Sequence, residues 1–298
     1  MISMKQTILL AACAAAIAVA ASAAPKAKVP PAAASQPVAA AAPAAPGPAD
    51  WRTPDPNDVL AIDTNKGRIL VEMIPEVAPQ TVAQVRALAH ENFYDGQRFF
   101  RVIDKFMDQT GDPQNNGQGG SSKPNIPAEF TFRRGADTPF TMAADQTVAE
   151  IGFVKSLPVE SQSMMLAAMT KDQKVTAWAL YCQGVMGMAR DENPDSGNSQ
   201  FFLMRYPYPS LERKYTAWGR VISGLDVVRA IKTGEPVEDP QDRMEHVRLL
   251  ADLPEATRPK VRVIDPKGPW FKAEIARVRA AKGADFTACD VDIPVEVK

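Results

Sequence analysis

The alternation of apolar and polar residues predicts a β-hairpin at the start of the folded chain. Residues 59–63 and 68–73 alternate in this way, and an Asn-Lys-Gly turn sequence at 65–67 separates them. Residues 81–90 then place apolar side chains at helical spacing, with Thr81 as the expected N-cap. This opening therefore predicts two paired strands followed by a helix.

Further short apolar runs continue the strand pattern, separated by connections rich in Gly and Asn. They lie at 99–103, 185–189, 201–204, 217–222 and 247–250. A second short helix is predicted at 225–233. Many short strands with two helices predict a mainly β fold, a closed antiparallel barrel capped by the helices.

Two segments do not fit the barrel pattern. In the insertion at 141–181, the apolar residues Val148, Ile151, Val154 and Leu157 recur every third position. This spacing predicts a mainly helical insertion that packs near the strand beginning at Val185. The C-terminal extension, 254–298, contains a further helical pattern at 271–281 and ends in a short strand-like tail.

The first 50 residues indicate export and a spacer. Lys5 precedes an apolar stretch, and Ala21-Ser22-Ala23 fits the cleavage site of a signal peptide at 1–23. The competing interpretation is a lipoprotein signal with Cys13 as the lipidated residue. Residues 24–50 contain seven prolines among alanines and predict a disordered linker. The folded domain is then expected at 51–253, in a periplasmic or secreted protein.

Composition and charge exclude several classes of function. The formal net charge is −1 over 298 residues, without the clustered basic face that nucleic acids require. His90 and His246 are the two histidines, so multi-histidine metal sites are nearly excluded, and we expect neither a metal nor a cofactor. The Gly-rich loop at 115–120 lacks the Gly-Lys-Ser/Thr ending of a phosphate-binding loop.

Several motifs occur in a fixed order along the chain. They are Phe-Phe-Arg-Val-Ile at 99–103, Phe-Met-Asp-Gln-Thr-Gly-Asp at 106–112, the Gly-rich loop at 115–120, Gly-Met-Ala-Arg at 187–190 and Asn-Ser-Gln-Phe-Phe-Leu at 198–203. Together they resemble the central signatures of the cyclophilin family of peptidyl-prolyl cis–trans isomerases. The resemblance covers 59–253, interrupted by the insertion.

The resemblance implies an eight-stranded barrel with a surface groove for an X-Pro peptide, and a role for each matching residue. Arg101 would be the catalytic guanidinium. The substrate-binding residues would be Phe106, Met107, Phe202 and Leu211 as walls of the proline pocket, Gln109 and Gln200 as partners of the substrate backbone, and Ala189, Arg190 and Tyr215 along the groove. Ser210 stands where animal members have tryptophan, so we expect weak cyclosporin binding.

The chemistry of this reaction suits a chain that is poor in conventional catalytic residues. Amide rotation is opposed by a resonance barrier of about 18–20 kcal/mol. Lowering it requires an apolar slot for the proline ring and a fixed donor, such as an arginine, that favours the twisted amide. We therefore expect a monomeric isomerase acting on proline-containing polypeptides. The alternative is a non-catalytic, peptide-binding chaperone module that uses the same groove.

Two further features leave alternatives open. Cys182 and Cys289 remain after signal cleavage, and they are either paired in a disulfide or buried as free thiols. Met164, Met165 and Met169 in the insertion either face the barrel or offer adaptable apolar contacts to client polypeptides.

Overall fold

The computed structural model describes residues 44–146 and 148–298. The predicted signal peptide, Cys13 and residues 24–43 of the predicted linker lie outside this part. The strands are β1 (Trp51–Arg52), β2 (Val59–Thr64), β3 (Gly67–Met73), β4 (Arg101–Ile103), β5 (Met107–Thr110), β6 (Phe132–Arg134), β7 (Phe140–Asp145), β8 (Ala149–Val154), β9 (Leu157–Gln162), β10 (Val175–Ala179), β11 (Val185–Met188), β12 (Phe201–Met204), β13 (Ala217–Ser223), β14 (Met244–Leu249), β15 (Val261–Ile264) and β16 (Val295–Val297). The α-helices are α1 (Pro79–His90), α2 (Leu225–Ala230) and α3 (Pro269–Lys282). No helix in the described ranges combines the length and apolar character needed to cross a membrane.

Eight strands form one curled antiparallel sheet, the main sheet, in the order β14-β2-β3-β13-β11-β12-β5-β4. The predicted hairpin is confirmed, because β2 and β3 pair continuously from Val59 opposite Glu72 to Thr64 opposite Gly67. Large apolar side chains such as Phe201 and Trp218 fill the concave side of the sheet. This concave core also includes buried residues of helices α1 and α2.

The closed barrel expected from the sequence is wrong, because the main sheet is open. Strands β14 and β4 lie at opposite ends of the strand order and do not pair with each other. The residues that precede these two strands meet through an isolated β-bridge between Arg98 and Arg243. Residues 91–96 form turns, and β4 begins only at Arg101. The chain is therefore not extended where a continuous ladder with β14 would have to form, and the sheet is a half-barrel.

The two helices predicted for the barrel are present, with different ends. Helix α1 buries Val82, Val85 and Leu88 in the concave core. It begins at Pro79, so Thr81 is not its N-cap; the backbone N–H groups of Gln80 and Thr81 donate instead to the Glu129 carboxylate, both at 2.9 Å. A carboxylate from a distant loop thus satisfies donors that an N-cap would otherwise serve. Helix α2 ends three residues earlier than predicted.

The insertion is a β-sheet, so the helical prediction for 141–181 is wrong. Strands β7 to β10 join β6 in a five-stranded antiparallel sheet, the inserted sheet, in the order β6-β10-β9-β8-β7. Every residue of β8 is buried, and Ala149, Ile151 and Phe153 alternate with Glu150 and Gly152, a strand pattern that overlaps the three-residue spacing of Ile151 and Val154. The apparent helical spacing of Val154 and Leu157 arises because they pair across the two-residue turn between β8 and β9.

The C-terminal extension folds against the rest of the chain. Helix α3 and the terminal strand β16 confirm the predicted helix and tail. Strand β15 lies between β1 and β16 in a separate three-stranded sheet, and Phe271 of α3 contacts Phe153 edge-to-face with ring centroids 5.1 Å apart. Cys182 and Cys289 form a disulfide with their Cα atoms 5.1 Å apart, which excludes the free-thiol alternative.

Two of the three methionines considered in the insertion are exposed. They do not face the main sheet, so the first of the two alternatives is wrong for them. Met165 is 86% exposed and Met169 83% exposed, while Met164 is half-buried. The interior of the inserted sheet is instead filled by residues such as Phe153 and Val159. These two methionines therefore remain available to other molecules.

Candidate active site

Nine of the ten site residues expected from the sequence enclose one surface cavity of about 200 Å³, which we name the proline cavity after the role that the resemblance predicts for it. They are Arg101, Phe106, Met107, Gln109, Ala189, Arg190, Phe202, Leu211 and Tyr215. The tenth, Gln200, lines a second cavity of about 550 Å³ together with the Gly-rich loop. Gln109, Ala189 and Arg190 line both cavities, so the two form neighbouring parts of one groove.

The floor of the proline cavity is apolar and supported from below. Met107 and Phe202 are buried on the paired strands β5 and β12. The Phe202 ring contacts Tyr215 edge-to-face at 5.9 Å and stacks on Tyr181 at 6.0 Å, measured between centroids. Gly187 lies opposite Phe202, and a Cβ there would come within 2.2 Å of the ring. Glycine is thus required at 187 for the ring to occupy its place.

The guanidinium of Arg101 lies at the edge of this apolar floor. Arg101 is on β4, directly opposite Gln109 on β5, and its Nη1 donates to Gln109 Oε1 at 3.2 Å. Its Nε donates to Glu235 Oε1 at 2.6 Å. The Arg101 side chain is 37% exposed, so a charged donor group faces both the cavity and solvent.

A chain of amide hydrogen bonds continues from Arg101 to the Gly-rich loop. Gln109 Nε2 donates to Gln200 Oε1 at 3.0 Å, and Gln200 Nε2 donates to the carbonyl oxygens of Gly117 and Gly119 at 3.1 and 2.8 Å. These bonds orient both glutamine side chains. They also couple the position of the loop to that of the guanidinium.

Asp112 fixes the conformation of the Gly-rich loop. Its carboxylate accepts hydrogen bonds from the backbone N–H groups of Gln114, Asn116 and Gly117. Burial alone would raise the pKa of Asp112, but these hydrogen bonds outweigh it and lower the pKa below its ordinary value. The loop is therefore held by an ionised carboxylate at neutral pH.

Arg190 is held along the groove by a neighbouring aromatic ring. Its Cζ lies 4.5 Å from the centroid of the Tyr215 ring, and its Nε donates to the Lys214 carbonyl at 3.0 Å. A guanidinium over a ring face is attracted by the electrons of that face. Tyr215 therefore has a structural role in placing Arg190.

Ser210 and its neighbours form the rim beside Leu211. Ser210 is exposed within a short helical turn, Pro209–Leu211, and Tyr208 before this turn donates its backbone N–H to the Tyr181 carbonyl, at the end of the insertion, at 2.8 Å. Burial raises the pKa of Glu212 to about 7, although a hydrogen bond from the Tyr181 backbone opposes this effect. This rim is thus in contact with a part of the chain outside the main sheet.

Sequence reasoning missed two acidic residues beside the site. Asp108 follows Met107 but is fully buried; burial raises its pKa to about 8, and the nearby Arg205 guanidinium only partly offsets this. Glu235 contacts Arg101 although 134 positions separate them. No local pattern marks either residue, because their surroundings arise from distant segments. In the described ranges, no three His, Cys, Asp or Glu side chains are grouped as a metal site requires.

The comparisons with known proteins agree on one family. The sequence model of the family described as cyclophilin type peptidyl-prolyl cis-trans isomerase/CLD matches residues 59–250. A probable peptidyl-prolyl cis-trans isomerase of Brucella suis is 32% identical over 196 residues, which cover 62% of this chain and 76% of that protein. Peptidyl-prolyl cis-trans isomerase-like 1 of Mus musculus is 28% identical over 212 residues, covering 71% of this chain and 98% of that protein.

A solved structure extends the likeness beyond the matched residues. Cyclophilin AquaCyp293 from Hirschia baltica has a TM-score of 0.77 and 35% sequence identity, covering 84% of this chain and 94% of that chain. The half-barrel, the motif-bearing strands and these matches together show that the chain belongs to the cyclophilin family. Within that family it is an enzyme, a peptidyl-prolyl cis–trans isomerase.

Proposed function

We propose that the chain accelerates rotation about X-Pro peptide bonds by electrostatic stabilisation from Arg101, without a covalent intermediate. The observation that carries this proposal is the position of the guanidinium beside the apolar cavity. Arg101 Nε donates to Glu235 and Nη1 donates to Gln109, while Nη2 makes no hydrogen bond to the described residues. A fixed, charged donor is therefore available to a bound substrate.

The two parts of the site have different tasks in this mechanism. The floor formed by Met107 and Phe202 takes the proline ring, and its apolar surface contributes binding energy. Arg101 donates to the proline nitrogen as it becomes pyramidal, so the interaction is stronger in the twisted state than in the planar ground state. Such differential binding lowers the rotation barrier without a nucleophile, a general acid or a metal.

The groove beyond the proline cavity supports binding of an extended polypeptide. Gln109 and Gln200 would bind the substrate backbone, and Ala189 and Arg190 would lie along the flanking residues. The neighbouring cavity of about 550 Å³ offers room for a side chain next to the proline. The proposed substrates are therefore proline-containing polypeptides, bound by a monomer without metal or cofactor.

The test is isomerisation of a proline-containing tetrapeptide by the purified chain and by Arg101→Ala. A hydrogen bond from a charged donor contributes about 1.5–3 kcal/mol, which predicts a roughly 10- to 150-fold lower kcat/KM for the variant. Arg101→Lys should recover only part of the loss, because it keeps the charge but not the fork of donors. Arg133→Ala, which removes an exposed arginine of the inserted sheet, is the matched control.

An Arg101→Ala protein that folds normally and isomerises at the parent rate would contradict the proposal. Reagents for thiols and serines should leave the rate unchanged, because no covalent intermediate forms. Inactivation of the enzyme by a serine reagent would argue instead for nucleophilic catalysis.

We also propose that the enzyme acts on folding envelope or secreted proteins after its signal peptide is cleaved. The N-terminal sequence supports export, and the disulfide between Cys182 and Cys289 is typical of oxidising compartments. Cell fractionation tests the location, and fatty-acid labelling of a Cys13→Ser variant tests the lipoprotein alternative. Retention of the unprocessed chain in the cytoplasm would contradict export.

The second candidate function is a chaperone role that does not need turnover. The exposure of Met165 and Met169 favours it, because flexible, polarisable side chains adapt to varied apolar partners. Suppression of aggregation of a denatured reporter protein should persist in Arg101→Ala and should fall when both methionines are replaced by serine. Equal suppression by the serine variant would remove the support for this role.

A further inference from the structure

A loop covers the edge of the main sheet beside Arg101. The segment 234–237 runs along β4: Val102 and Gly234 exchange both backbone hydrogen bonds at 2.8 Å, and Val237 donates to the Phe100 carbonyl at 2.9 Å. The Val237 side chain is buried in the concave core. The loop is therefore anchored on both sides of Glu235, whose position next to Arg101 is set by the backbone.

The Arg101 guanidinium is held from two sides by acceptors on different elements. Glu235 Oε1 accepts from Nε at 2.6 Å, and Gln109 Oε1 accepts from Nη1 at 3.2 Å. A guanidinium is planar and rigid, so two contacts at different nitrogens determine the orientation of the whole group. Nη2 is left without a hydrogen bond to the described residues.

We propose that Glu235 is a positioning residue for the isomerisation, which keeps the Arg101 guanidinium in the orientation that presents Nη2 to the substrate. This inference rests on the proposed role of Arg101. Without the carboxylate, Gln109 is the one described residue that still holds the flexible arginine side chain by a hydrogen bond, and it is itself bonded to Gln200. The guanidinium would then spend part of its time in orientations that do not reach the proline nitrogen.

The surroundings of Glu235 argue against a purely structural role. The Glu235 side chain is 55% exposed, and its ion pair with Arg101 lies at the surface. Exposed ion pairs contribute little to the stability of a fold. The backbone bonds of Gly234 and Val237 hold the loop without the carboxylate. Loss of the carboxylate should therefore change the rate and leave the fold in place.

Steady-state kinetics of Glu235→Ala, Glu235→Gln and a control variant test the inference. We expect kcat/KM to fall about tenfold in Glu235→Ala, equivalent to about 1.4 kcal/mol, with most of the change in kcat. Glu235→Gln should keep most of the activity, because its amide oxygen still accepts from Nε. Glu238→Ala removes an exposed carboxylate from the same loop and should match the parent enzyme.

Two further measurements separate positioning from a structural effect. In an Arg101→Ala background, Glu235→Ala should cause no additional loss, because residues that act through one group are not additive. The NMR order parameter of the Arg101 Nε–H group should fall in Glu235→Ala and stay unchanged in Glu238→Ala. Thermal unfolding of each variant shows whether its fold is intact.

A parent-level rate in Glu235→Ala, or a full additional loss in the Arg101→Ala background, would overturn the role of Glu235 and leave the role of Arg101 standing. An unchanged Arg101 order parameter in Glu235→Ala would also overturn it. A parent-level rate in Arg101→Ala would instead overturn the proposed catalytic role of Arg101, and the inference about Glu235 with it.

Discussion

We expect the buried carboxyl group of Asp108 to make the stability of this enzyme depend on pH. Asp108 is fully buried next to Met107, and neither of its oxygens accepts a hydrogen bond from the described residues. Nη1 of Arg205 lies 3.4 Å from Asp108 Oδ1, but no hydrogen bond joins them. Burial therefore dominates and raises the pKa of Asp108 from 3.8 to about 8.

The direction in which stability changes with pH follows from the pKa of Asp108 in the unfolded chain and in the folded chain. In the unfolded chain Asp108 loses its proton near its ordinary pKa of 3.8, while in the folded chain it keeps the proton up to about pH 8. The folded state binds the extra proton between these values, so stability decreases as pH rises from about 4 to 8. At 1.36 kcal/mol per pKa unit, the loss is at most about 6 kcal/mol.

Replacing Asp108 with asparagine should remove this dependence, because the amide has nearly the shape of the protonated carboxyl group and does not ionise. The free energy of unfolding, measured with urea at pH 5 and pH 9, should differ between the two proteins by less than about 2 kcal/mol at pH 5, because only about one pH unit above 3.8 has been passed. At pH 9, Asp108→Asn should be more stable than the parent by several kcal/mol. Asp145→Asn, an exposed carboxyl group of the inserted sheet, is the control. Equal pH dependence in Asp108→Asn and the parent would refute the reasoning.

Three other predictions follow from the site and the disulfide. Replacing both Cys182 and Cys289 with serine should lower the free energy of unfolding by about 2–5 kcal/mol, because the bridge joins residues separated by 107 positions; unchanged urea unfolding would contradict this. Cyclosporin should inhibit the enzyme more weakly than it inhibits an animal cyclophilin, and Ser210→Trp should strengthen inhibition in the same titration; tight inhibition of the parent would contradict this. Phe202→Ala should lower the free energy of unfolding by about 3–5 kcal/mol and raise KM for the tetrapeptide, whereas a normal KM would show that Phe202 does not bind the proline ring.

The candidate site could be predicted from the sequence because its residues lie in short motifs with a fixed order. Arg101, Gln109 and Phe202 belong to such motifs, and the structure brings them to one groove. Glu235 could not be found in this way, because its contact with Arg101 depends on how a distant loop pairs with the edge strand β4. Local sequence carries no record of such a long-range pairing.

The fold was predictable where a turn sequence or a helical spacing marked an element, as it does for the hairpin of β2 and β3 although both strands are largely buried. The hairpin of β2 and β3 and helix α3 follow from their patterns. Strand β8 is buried throughout, and its short alternation overlaps a three-residue spacing of apolar side chains, so the pattern is compatible with either a helix or a strand. The main sheet stays open because residues 91–96 form turns. Whether such turns prevent the sheet from closing into a barrel depends on the arrangement of all its strands, which the local sequence does not show.

The apolar cluster behind the proline cavity sets a limit on how this enzyme can be shortened. Met107 and Phe202 of the main sheet share that cluster with Phe153 of the inserted sheet and Phe271 of α3. A chain cut to the matched residues 59–250 would lack α3 and would leave Phe153 facing water. Exposed apolar patches of this kind promote association between molecules. We therefore expect a chain cut to the matched residues to associate, because the C-terminal extension is among the supports of the apolar cluster behind the proline cavity.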